Sequence, residues 1–275
     1  MNMFADEEKR MRKIKSEDNC RELQEDLNKI KEWSEEWKLD FNTNKCHVME
    51  VGTSGNRPHW EYKLGDETIE KSTKEKDLGI IMREDLSPES HINKIVGETY
   101  GLLNRIKIAF EYLDIEMLSK IIKVMIRPKL EYAAIVWSPH HKKHINKLEK
   151  VQRAATRIIP ELRRLSYEER LMTLGLTTLE KRRERGDMIM LYKCTRGIER
   201  IDRNNFIVRD EGRTRGHSYK LKKGRCKGDV RKYSFPYRSI DKWNSLGENV
   251  VCARSIHKFK ENLDKLELGS GTIRA

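Results

Sequence analysis

The 275-residue chain is short of cysteine and proline and has no long apolar run. Its five cysteines, Cys20, Cys46, Cys194, Cys226 and Cys252, are scattered, with no C-x-x-C pair. That spacing excludes a disulfide framework and a cysteine-based zinc site, and it points to a reducing compartment. No apolar stretch approaches the ~20 residues that a bilayer crossing needs, and Met1 to Lys15 has no apolar h-region. The expectation is a soluble, intracellular protein with no membrane partner. Hydrophobic residues make up 37% of the chain and aromatics 7%, against 37% charged. This balance disfavours one thick core and suits long amphipathic helices with solvated outer faces.

What the chain does have is charge, unevenly placed. Residues 1–139 hold 23 Lys/Arg against 27 Asp/Glu, a net of −4, while residues 140–275 hold 34 against 17, a net of +17. A front half that is mildly acidic and a back half that is strongly basic call for a polyanionic partner at the back. The excess peaks in ten Lys/Arg (Arg213, Arg215, Lys220, Lys222, Lys223, Arg225, Lys227, Arg231, Lys232 and Arg238) that face one acid, Asp229. Tyr219, Tyr233, Phe235 and Tyr237 are interleaved with them. Cations neutralise phosphates and flat rings stack on unpaired bases, so RNA, DNA or an RNA–DNA hybrid is the expected partner. Four glycines in the same stretch (Gly212, Gly216, Gly224 and Gly228) predict a loose segment that orders on binding. "EKRRERGD", Glu180 to Asp187, adds Arg182, Arg183 and Arg185 on a helix as further backbone contacts.

Periodicity sets the elements. Leu23, Leu27, Ile30, Trp33 and Trp37 form one apolar stripe, which predicts a helix over Ser16–Leu39 with Ser16 as N-cap and the tryptophans in a core. Strands are expected at Cys46–Val51 and Lys76–Met82, with a turn at Gly65-Asp66. From Ser87-Pro88-Glu89 to about residue 200 the pattern is helical, with a helix opened by Asp114 and stopped near Pro128. Further helices are expected over Tyr167–Leu174, Thr178–Arg196 and Ser255–Leu266, and Trp137 is a core position. The fold class is therefore α+β, mostly α. "HHKKH" places His140, His141 and His144 at a helix start; without nearby Cys or carboxylate ligands a solvated or phosphate-facing surface is expected there, and likewise at His217.

Several stretches, in order, resemble one family, the jockey-like non-LTR retrotransposon reverse transcriptases. They are "LQEDLNKIKEWSEEWKLDFNTNKCHVMEVG", "KDLGIIM", "IRPKLEYAAIVWSP", "LEKVQRAATRII", "YEERLMTLGLTTLEKRRERGDMIMLYK" and "TRGHSYKLKK". The resemblance implies a residual palm edge over 1–84 (one helix plus short strands), a helical thumb over 85–200 and a basic C-terminal nucleic-acid-binding tail over 201–275. The family's activity is RNA-directed DNA polymerisation. Phe4-Ala5-Asp6-Glu7 falls where the family has an aromatic-Ala-Asp-Asp turn, which makes Asp6 a vestigial metal ligand. Glu7, longer by one methylene, and Lys45 are the other vestigial catalytic positions. The nucleotidyl transfer implied uses two Mg²⁺ ions, whose near-octahedral oxygen geometry is strict.

Only Met1-Asn2-Met3 precede that turn, so the fingers and the family's upstream metal-binding aspartate are not in the chain. The expectation is a fragment that grips template–primer but does not polymerise alone and does not hold Mg²⁺ stably, with Met1–Arg10 frayed. Polymerisation would then need the missing N-terminal part in trans, and a decayed element with no selected role is the alternative. The resemblance also implies a nuclear location, and apolar faces and strand edges left uncovered near Cys46–Val51 and Lys76–Met82 imply poor solubility or association through those edges.

Overall fold

The structure, a computed structural model, describes residues 2–4, 7–52, 57–199, 207–210 and 216–269, with side chains described between 8 and 266 within those ranges. It is mostly helical with a few short strands, the α+β, mostly α class that the periodicities predict. The chain forms two compact units, Met1–Ser87 and Pro88–Ala275.

In the first unit, α1 (Glu17–Glu36) begins at an extended Ser16, with Glu17 and Asp18 in the first turn opposing the helix dipole. The helix packs Cys20, Leu23 and Leu27 onto Tyr62, Leu64 and Ile69. Its stripe is covered only in part, because Trp33 is 40% and Trp37 63% exposed, which corrects the core assignment of both. The strands are short: β1 (Asn2–Phe4), β2 (Glu7–Lys9), β3 (His47–Val48), β4 (Lys63–Leu64), β5 (Glu67–Thr68), β6 (Glu70–Lys71), β7 (Lys74–Asp77) and β8 (Ile80–Arg83). They pair two by two, β3 with β6 in parallel and β1–β2, β4–β5 and β7–β8 antiparallel.

Two expectations change here. The segment expected to fray carries β1 and β2, with Phe4 opposite Glu7. The single strand expected over Lys76–Met82 is a hairpin, with Asp77 opposite Ile80. Leu78 and Gly79 sit at φ +45 and +85 between them. Two successive positive φ values give the mirror-image turn whose twist matches paired strands, and Gly79 adopts it without a Cβ penalty.

The second unit is helical: α2 (Glu89–Ala109), α3 (Ile115–Ile121), α4 (Arg127–Glu131), α5 (Ala134–Trp137), α6 (Lys142–Ala155), α7 (Tyr167–Thr173), α8 (Leu179–Arg196), α9 (Asp229–Tyr233), α10 (Ile240–Asn244), α11 (Glu248–Val251) and α12 (Ile256–Gly269). The caps follow the sequence. Asp114 accepts from Met117 N–H at 2.7 Å, Thr178 accepts from Lys181 N–H, and Ser166 with Glu169 closes a capping box on α7. Gly197, at φ +75, ends α8 in the left-handed conformation. Pro128 does not stop its helix. A π turn over Ile122–Ile126 ends with Arg127 N–H donating to Ile122 O, and Pro128 follows in the first turn of α4, where its missing donor costs least.

α2 packs on α6 and α4, burying Ile92, Leu103 and Ile106 with Leu130, Leu148 and Val151. Each such side chain contributes about 1.5–3 kcal/mol. Trp137 is buried as expected, its ring edge-on to His91 at 5.1 Å. A second core lies on α8, where Leu191, Tyr192 and Cys194 pack with Leu221, Ile240, Trp243, Val251 and Phe259. The described part of the segment expected as a loose tail is thus folded onto α8, and no unit boundary falls at residue 200.

Candidate nucleic-acid interface

The tail's apolar residues fix the path of its cations. Leu221 is buried, and Asn244 clamps its backbone, accepting from Leu221 N–H and donating to Leu221 O at 2.9 Å each. Asp210 N–H donates to Lys220 O at 2.9 Å and Lys222 N–H to Val208 O at 2.8 Å. His217 is buried, its Nδ1 accepting from Tyr219 N–H at 3.2 Å and its Nε2 lying 3.1 Å from Trp243 O. With Nδ1 accepting, Nε2 carries the proton and donates, so both ring nitrogens are engaged. His217 is a pin in the fold and not the solvated histidine expected.

From this pinned backbone Lys222, Lys223, Arg225 and Lys227 stand exposed, followed by Arg231 and Lys232 on α9. Lys223 pairs with Asp241. Among the described residues, Lys222, Arg225 and Lys227 have no ion-pair partner. Arg231 donates to the Tyr237 hydroxyl at 2.6 Å and lies 4.8 Å over its ring. Lys232 sits 4.9 Å over Tyr233, and its hydrogen bond to that residue raises its pKa. Lys220 is half-buried, and Arg213 and Arg215 lie outside the described residues.

The interleaved rings contact the protein itself. Tyr233 stacks on His140 at 3.9 Å with the planes 1° apart, and the Tyr219 ring is met by Arg196 at 4.2 Å and Arg209 at 5.0 Å. These rings brace cations and helices, which leaves less of them for base stacking than the sequence pattern predicts.

Other expected contacts are engaged inside. Arg182 forms a two-pronged pair with Glu131 (2.5 and 2.7 Å), and Arg185 does the same with Asp264 (2.6 and 2.9 Å). Arg238 grips Asp187 at 2.7 and 2.8 Å. Arg183 is not on the surface. It is 6% exposed, and burial lowers its pKa, opposed by the nearby Glu149, Glu180, Glu131 and Asp187.

Arg183 borders a buried polar hub built from "LEKVQRAATRII". Gln152 donates to Tyr167 Oη (2.9 Å) and Thr177 O (3.0 Å), and its Oε1 accepts from Arg127 Nε at 3.0 Å. Glu149 accepts from the Tyr167 hydroxyl and, at 3.0 Å, from Leu179 N–H at the start of α8. Burial pushes the Arg127 guanidinium down to about 10, with Arg182 adding to the shift. It stays charged at neutral pH. The hub ties α4, α6, α7 and α8 together.

Of the expected catalytic positions, Lys45 is the one whose side chain is described. Asp6 and Ala5 lie outside the described residues, as does the Glu7 side chain. Lys45 is exposed in a 3₁₀ turn over Thr43–Lys45. Among the described residues no three His, Cys, Asp or Glu side chains are grouped to hold a metal ion, and no step is assigned to Mg²⁺. His140, His141 and His144 cluster at the start of α6, with ring centroids 4.0 and 6.2 Å apart, and burial lowers the pKa of His140 and of His144. His144 is itself 4% exposed, so it is not the solvated side chain expected. No helix of the described residues is long and apolar enough to cross a membrane. No family model matches this chain, and neither do the curated proteins or the solved structures compared with it.

Proposed function

We propose that the chain is the C-terminal part of a jockey-like non-LTR reverse transcriptase, with a palm-edge unit and a helical thumb, and that it grips template–primer without polymerising alone. One observation carries the reading: Lys222, Arg225 and Lys227 stand exposed and, among the described residues, without ion-pair partners, just after the backbone that Asn244 fixes at Leu221. An anchor beside the row lowers the backbone freedom that is lost when its cations meet phosphates. The net +17 of residues 140–275 and the collinear resemblance support the same reading. Sequence-independent binding follows, because phosphates carry no base information.

Fluorescence anisotropy with a labelled RNA–DNA primer–template, repeated across salt concentrations, tests it. Replacing Lys222, Arg225 and Lys227 together by Gln is expected to lower the log–log salt slope by about 2–3, since each phosphate contact contributes ~0.9 in a duplex. A folded wild-type chain that binds no hybrid, or a triple variant with the wild-type slope, would overturn the reading.

A further inference from the structure

A groove with mixed apolar and charged walls opens in the helical unit, away in sequence from the tail. It encloses about 950 Å³ between the end of α2, the loop after it, the end of α6 and the 3₁₀ turn over Pro160–Arg164. Phe110, Ile158 and Pro160 form apolar wall, while Lys107, Arg157 and Arg163 bring three cations to the same space against one acid, Glu111. The size falls in the range of small-ligand sites, roughly 300–1,000 Å³.

We propose that this groove takes one unpaired nucleotide of a bound nucleic acid, with the base against Phe110 and the flanking phosphates on Lys107, Arg157 and Arg163. The site rests on the reading of the chain as a nucleic-acid grip and adds to it a preference for single-stranded segments. Three features select this ligand. Phe110, the C-cap of α2, is 37% exposed and presents a flat ring. Lys107 and Arg157 are exposed and have no ion-pair partner among the described residues. Arg163 is held by two bonds, from Nε to Arg157 O at 3.1 Å and from Nη2 to Ile158 O at 3.4 Å. Those bonds quench carbonyls at the end of α6 that would repel a phosphate, and they leave Nη1 for a ligand. A paired base cannot leave its stack to enter such a groove without a cost of a few kcal/mol, whereas an unpaired one enters freely. Stacking on one aromatic then adds affinity that does not depend on base identity.

The test uses the full chain and three labelled probes: a blunt RNA–DNA hybrid, the same hybrid with a short single-stranded overhang, and that overhang made abasic. The overhang is expected to bind about tenfold tighter than the other two. Phe110→Ala removes that advantage and leaves blunt binding unchanged. Arg157→Gln lowers the salt slope for the overhang by ~0.7, one single-strand phosphate. Arg157 is a surface residue, so its variant reads the site even if Phe110→Ala disturbs the fold. Equal binding of the intact and abasic overhangs, or an advantage that survives both variants, would overturn the groove while blunt-hybrid binding upholds the grip. Overhang binding that depends on Phe110 without any blunt-hybrid binding would do the reverse. Displacement of the overhang by a polyglutamate peptide, with the same Phe110 dependence, would assign the groove to an acidic protein segment and overturn the proposal. No binding of any probe would reject both.

Discussion

Replacing Arg238 by Ala is expected to destabilise the helical unit far more than removing any other tail cation. Its side chain is 14% exposed and that of Asp187 only 8%. Arg238 donates to Asp187 at 2.7 and 2.8 Å and to Ile135 O at 3.0 Å, while Ser239 Oγ donates to the same carboxylate at 2.9 Å. The alanine variant leaves a buried carboxylate with one neutral donor and removes the tie from the tail to α5. Breaking one side of a buried pair costs about 3–5 kcal/mol, because the remaining charge keeps its desolvation penalty without its partner. Lys242 makes the contrast. Its pair with Glu184 is 43% and 49% exposed, so Lys242→Ala should cost about 0–1 kcal/mol.

Urea unfolding of the full chain followed by far-UV circular dichroism and tryptophan fluorescence measures both, with Trp243 reporting on the core beside α8. At an unchanged m-value, the expected order is a large fall in midpoint for Arg238→Ala and almost none for Lys242→Ala. An Arg238→Ala loss below 1 kcal/mol would refute the assignment of this cation to the fold and return it to the surface row. The double variant Asp187→Asn with Arg238→Met separates pairing from packing. It should recover part of the loss, since no stranded charge remains.

Tyr167→Phe deletes the hydroxyl that donates to Glu149 and accepts from Gln152 at 2.9 Å. A loss of about 1–3 kcal/mol in the same unfolding assay is expected, and no loss would show that the hub is dispensable. His144 is buried at the start of α6, and its pKa is lowered by burial first and then by Lys143, His141 and Lys147, with Glu89 opposing. A lowered folded-state value means the unfolded chain binds the proton more readily, so stability is full above about pH 6.5 and declines as pH falls through the folded pKa. His144→Gln should flatten the dependence of Tm on pH between about 7 and 5, and an unaltered slope would assign the dependence elsewhere.

Local signals carried the helices and failed where geometry is set by one special residue or by distant partners. Asp114, Ser166 and Thr178 announce α3, α7 and α8 because a cap acts within three residues of itself. The hairpin at Leu78-Gly79 stays hidden because leucine continues an apolar run and only its φ reveals the turn. Pro128 misleads in the opposite direction, since the π turn before it moves the helix start to where a proline fits. The second core was present in the sequence as Ile240, Trp243, Val250, Val251 and Phe259, an apolar series overshadowed by the charge upstream of it.

The same division governs the interface. A count of positive residues treats Arg182, Arg185, Lys222 and Arg238 as equivalent, yet three of them are neutralised by acids far along the chain. Arg182 meets Glu131 51 residues away, Arg185 meets Asp264 79 away, and Arg238 meets Asp187 51 away. Each pairing depends on how helices come together, which no local window contains. The net charge of a segment bounds its affinity for a polyanion only after such internal pairs are removed. Among what remains on the outside are a short row at 222–227 and the rim at Lys107, Arg157 and Arg163, on elements separated in sequence. The row was visible as a charge run. The rim, whose members come from α2, the end of α6 and the turn beyond it, was not, because only folding gathers them around one aromatic ring.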